Sequence, residues 1–165
     1  METNEIQEAL ATAVEEVLET MCFLGVDASG EGSAPPEAVD NPAPREQDGE
    51  RNLTSELRFE GNTSGTFRVS VPLSLAHAAG AGFLGLDEPA ATDAQAAEVV
   101  CELANMFCGS VLGRLEHSTI FRLSHPELVP ALPGASLEPL DNIRWFDTGE
   151  GILTVSLSLQ PEYAL

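Results

Sequence analysis

The chain has 165 residues, 43% of them hydrophobic, which is about one domain's worth with a single sizeable core. Its formal charge is -20, with 27 acidic residues against seven basic ones, all of them Arg. So acidic a surface repels phosphate backbones and anionic lipid, which argues against nucleic acid and membrane surfaces as partners.

No apolar run reaches the length of a membrane span, and the acidic start METNEIQEAL lacks the cationic opening of a secretory signal. Cys22, Cys101 and Cys108 have no CxxC spacing and read as small buried hydrophobes in a reducing cytoplasm. His77, His117 and His125 show no ligand spacing and read as ordinary surface or packing residues.

In chain order, TNEIQEALATAVEEVLETMCF predicts an amphipathic helix. Ile6, Leu10, Val14, Val17, Leu18 and Met21 take one face, and Glu5, Glu8, Glu15, Glu16 and Glu19 the other. Asn4 is the candidate cap, with Gln7 completing a capping box. Residues 27–52 are rich in Pro, Gly, Asp and Glu with Val39 as their one large aliphatic, and read as a long mobile acidic loop. From Leu53 the period changes to two. LTSELRFEG and GTFRVSVPL predict a hairpin turned at GNTSG, and LSLAHAAGAGFLG a short helix weakened by Gly80 and Gly82.

Thr92 or Asp93 can cap the next helix, over roughly 93–115. STIFRLSHP follows as a strand stopped at Pro126, then a Pro-rich connection, then a hairpin around DTGEG that ends the chain. The resulting order is α-β-β-α-α-β-β-β. This predicts one α+β domain over residues 1–165, in two layers, with a largely antiparallel sheet covered by helices.

The segment ELANMFCG holds the candidate site. At about 100° per residue, Glu98, Glu102, Asn105 and Gly109 fall in one narrow row on a helix that is otherwise apolar. A solubilising edge needs neither Asn nor Gly, both poor interior helix formers. The carboxylate can pair with a cation and the carboxamide can hold a water. The row carries no nucleophile, no base poised near neutrality and no metal cage, so it is not a complete active site. It can complete a partner's site, and phosphoryl transfer suits that division because its catalysis is mostly positioning and electrostatics.

ELANMFCGSVLGRLE, with Glu-x-x-Asn and a Gly four residues later, resembles the CheC/CheX family of chemotaxis phosphatases, and CheX more than CheC. AVEEVLETMCF at the start and the strands flanking the motif helix agree with that pattern. The resemblance implies dephosphorylation of the aspartyl phosphate on a CheY-like response regulator. Glu102 would pair with the lysine of the receiver's active site, and Asn105 would enter that site and orient the attacking water. Glu98 and Gly109 would belong to the docking face. Mg2+ would be held by the receiver, so the chain needs no cofactor of its own. The resemblance also implies a homodimer joined at sheet edges.

Departures are a single Glu-x-x-Asn, with EEVLET of the first helix offering no second Asn and ending in Thr20 instead, and the acidic loop. The competing functions are a non-catalytic CheX-like module that docks on a receiver or a flagellar-switch component, and a structural homodimer with a merely exposed stripe.

Overall fold

The computed structural model describes residues 2–33, 35, 51–87, 91–129 and 141–160. The amphipathic N-terminal segment folds as α1 (Thr3–Met21), burying Ile6, Leu10, Val14, Val17 and Leu18. Its cap differs from the expected one. The flanking residue is Glu2, whose N–H donates to Glu5 Oε2 at 3.4 Å, so Asn4 lies inside the first turn. Gln7 is drawn inward instead. It donates to the Ile143 carbonyl at 3.2 Å and accepts from Arg144 Nη1 at 3.4 Å.

The reading of 27–52 as a loop fails at its start. Ala28–Glu31 form β1, an edge strand that pairs antiparallel with β6 (Ile143–Asp147). Its stability comes from the backbone ladder and from Gly30, where the Trp145 ring lies so close that a Cβ would meet Trp145 Cζ2 at 2.9 Å. It fails at its end too, where Asn52 opens the next strand, and residues 34 and 36–50 of that acidic segment lie outside the described residues.

β2 (Asn52–Glu60) and β3 (Gly65–Pro72) form the expected hairpin, and β6 and β7 (Ile152–Leu159) the second. The sheet order is β1-β6-β7-β3-β2, with every pairing antiparallel. Two short pieces, β4 (Arg122–Leu123) and β5 (Glu127–Val129), share the outer edge of β2. The strand expected to stop at Pro126 is therefore interrupted there and resumes.

Period-two alternation puts Leu57, Phe59, Phe67, Val69, Val155 and Leu157 in the core beneath the helices. Thr54, Thr66, Ser70 and the Arg68–Glu56 ion pair line the other face. The helical layer is α1, α2 (Leu73–Leu84) and α3 (Asp93–Leu115). Gly82 of α2, expected only to weaken the helix, is a point of contact: a Cβ there would stand 2.0 Å from the Cys22 carbonyl oxygen. Arg114 near the end of α3 pairs with Glu16 of α1. The architecture is the expected two-layer α+β arrangement, with one strand more at each sheet edge.

Candidate functional site

α3 begins where a cap residue permits. Of the two candidates, Thr92 takes the role: its Oγ1 accepts from the Gln95 N–H at 3.2 Å, and Gln95 Oε1 accepts from the Thr92 N–H at 2.9 Å. Asp93 instead pairs with His77 Nε2 at 2.6 Å, tying α3 to α2. Val99, Val100, Leu103, Ala104, Phe107 and Val111 are buried, as a helix packed over the sheet and between its neighbours requires. By length and composition α3 could cross a bilayer, with a mean hydropathy of 1.3 over its best window, yet it is the central helix of the packed layer.

The polar row stands in solvent. Glu98, Glu102, Asn105 and Gly109 are all exposed, on a helix whose other sides are mostly covered. Residues three apart on a helix have Cβ atoms about 5–6 Å apart, so Glu102 and Asn105 can act on one small target. Packing among the described residues does not require the glycine, because a Cβ at 109 would meet only Leu123 Cδ1 there, at 4.0 Å.

Beside the row runs an open groove of about 350 Å³ lined by Cys101, Glu102, Asn105, Leu123, Ser124, His125 and Pro126. Its far wall is a feature that the sequence reading missed. β4 pairs through Phe59↔Leu123 and Glu60↔Arg122, whereas β5 pairs through Glu56↔Glu127 and Ser55↔Leu128. Between them the Ser124 N–H donates to the Arg58 carbonyl at 2.8 Å, and Ser124 Oγ accepts from the Arg58 N–H at 2.8 Å. Leu57 is left opposite both His125 and Pro126, which makes a one-residue β-bulge. A bulge re-aims side chains, and with this one His125 lines the groove together with Glu102. Pro126, with no N–H to offer a ladder, suits that position.

Cys101 is half-buried on the groove wall, where its Sγ accepts from Ser55 Oγ at 3.6 Å. Burial pushes the Cys22 thiol up to about 11 and the Cys108 thiol up to about 12. Both therefore stay protonated at neutral pH and are packing residues, not nucleophiles. Among the described residues no three His, Cys, Asp or Glu side chains cluster as a metal site requires. The site thus offers a carboxylate, a carboxamide, an open helix face and a groove, with no Lys or Arg among the residues lining it.

Solved structures share this fold. CheX from Vibrio vulnificus matches with a TM-score of 0.66 at 15% identity, covering 97% of this chain and 99% of its own. CheX from Desulfovibrio desulfuricans matches at 0.66 and 20% identity, covering 94% and 99%. A CheX from Borrelia burgdorferi, solved as a complex with CheY, BeF3 and Mg2+, matches at 0.65 and 14% identity, covering 93% and 97%. No curated protein matches in sequence. The family profile described as "Chemotaxis phosphatase CheX" matches residues 53–139, more than half of the chain and a span that takes in β2, β3, α3 and the bulged edge. The chain belongs to the CheX family of chemotaxis phosphatases.

Proposed function

We propose that this chain dephosphorylates the aspartyl phosphate of a CheY-like receiver domain, by presenting the open face of α3 to the receiver's active site. The observation that carries the reading is the exposed row Glu98–Glu102–Asn105–Gly109 on a helix whose other sides are mostly covered, bordered by a groove. Family membership supports the phosphatase activity, and the Borrelia complex supports a CheY-like partner.

In this reading Glu102 docks against the receiver's active-site lysine, a charge-assisted contact that fixes the approach. Asn105 enters the phosphorylated pocket, where its amide both donates and accepts and so holds a water in line with phosphorus. Gly109 lets the receiver come close one turn further on. The leaving group is the receiver's own carboxylate, so the water's attack breaks the acyl phosphate P–O bond and releases inorganic phosphate. Mg2+ belongs to the receiver, and the chain contributes no cofactor. The protein works in the cytoplasm as a homodimer, and the outer edge of β1, unpaired among the described residues, offers backbone for sheet-edge association.

The test is the decay of a phosphorylated receiver domain with and without the protein. Acceleration that disappears in Asn105→Ala supports the reading. Tight binding with decay left at its intrinsic rate leaves the docking-module function instead.

A further inference from the structure

Past Glu102, the groove continues toward the end of α2 as an open hollow of about 360 Å³. Its apolar lining includes Phe83, Leu84, Pro126 and Leu128, with Glu98 and Glu102 on the α3 wall and His125 also lining it. Leu84 is 44% exposed and Leu128 45%, two of the five exposed large hydrophobics among the described residues. Scattered exposed leucines need no explanation, but these two line one hollow that adjoins the polar row. Leu128 lies on β5, directly after the bulge, so the register slip that aims His125 also sets this wall. Glu98 makes no ion pair among the described residues, and no Lys or Arg lines the hollow. An apolar hollow with unpaired carboxylates on one wall is complementary to an apolar side chain that has a cation beside it.

We propose that this hollow is the specificity pocket of the site: it takes an apolar side chain of the receiver domain, flanked by a Lys or Arg that pairs with Glu98, and so selects which receiver is dephosphorylated. The inference rests on the phosphatase reading and adds a partner chemistry to it. Glu102 and Asn105 address features common to all receivers, namely the active-site lysine and the phosphoryl group. Discrimination between receivers must come from contacts outside that shared pocket, and the hollow adjoins the row that addresses it, sharing Glu102 with it.

The experiment measures dephosphorylation of a panel of purified receiver domains, each phosphorylated with acetyl phosphate. The proteins compared are wild type, Leu84→Glu, Leu128→Glu, Leu128→Met and Glu98→Lys, each checked for folding by circular dichroism. The two Glu variants and Glu98→Lys should raise KM for the preferred receiver by about tenfold or more, with kcat within about twofold, and should flatten the ranking of receivers. Leu128→Met should keep the wild-type pattern. If the charged variants keep wild-type KM and ranking while Asn105→Ala still removes turnover, the pocket is refuted and the phosphatase reading stands. If wild type accelerates the decay of no receiver, the phosphatase reading falls and this inference falls with it.

Discussion

Gly109 faces Leu123 across an open gap: among the described residues outside its own helix, the one atom within 4 Å of a Cβ at position 109 is Leu123 Cδ1, at 4.0 Å. Glycine in a helix interior is less favourable than alanine by roughly 0.5–1 kcal/mol. Among the described residues nothing requires that sacrifice, and the proposed docking face supplies a reason for it. Gly109→Ala should raise unfolding stability by about 0.5–1 kcal/mol while lowering activity on the phosphorylated receiver. Gly113→Ala, one turn further on and also without neighbours within 4 Å among the described residues, should be stabilised alike with activity retained. Denaturant midpoints and decay rates measured on the same preparations check both. Equal activity in the two variants would assign Gly109 no part in docking.

Gly82 makes the opposite prediction. A Cβ there would stand 2.0 Å from the backbone oxygen of Cys22, an atom that cannot swing aside as a flexible side chain can. Gly82→Ala must push α2 away from the end of α1 and should destabilise the fold by about 1–3 kcal/mol or more, read as a lower denaturant midpoint. Stability equal to wild type would contradict the close helix crossing.

The buried thiols set an alkaline limit. In the unfolded chain they titrate near 9.0, but in the fold Cys22 is held up to about 11 and Cys108 up to about 12 by burial. A raised value means the folded state keeps a proton that the unfolded state gives up. That contribution is therefore complete below pH 9 and is lost as pH climbs toward 11–12. Within that window each thiol should lower stability by about 1.4 kcal/mol per pH unit. Cys108→Ala lowers stability at every pH by leaving a cavity, so the informative quantity is the slope. Between pH 9 and 11 it should be shallower than wild type by about 1.4 kcal/mol per unit, and equal slopes would contradict the buried, protonated thiol.

What could be read in advance was whatever local chemistry decides. The limits of α3 follow from Thr92 and from the apolar period that runs to Leu115, and its polar row from helical spacing alone. The β2–β3 and β6–β7 hairpins follow from alternation and their turns. What escaped was set by distant partners. The segment ASGE has no apolar alternation and becomes β1 because β6 supplies the ladder and Trp145 packs over Gly30. The bulge at His125 exists because β2 is paired in two registers, which no local pattern at 122–129 encodes. Asn4 is a better intrinsic cap than Glu2, but the helix starts one residue before it and draws Gln7 inward to the Ile143 carbonyl. The exposed row was therefore legible on its helix, and the bulged wall beside it was hidden on the sheet edge.

The proposed division of labour between Asn105, orienting water, and Glu102, docking, is tested most directly by steady-state dephosphorylation of the cognate receiver with wild type, Asn105→Ala and Glu102→Ala. Losing the group that orients water should lower kcat by about a hundredfold or more with KM little changed. Losing the docking carboxylate should raise KM by about tenfold or more and leave most of kcat in place. Both residues are exposed, so unfolding should not confuse the result. Wild-type kcat in a folded Asn105→Ala protein would contradict the account.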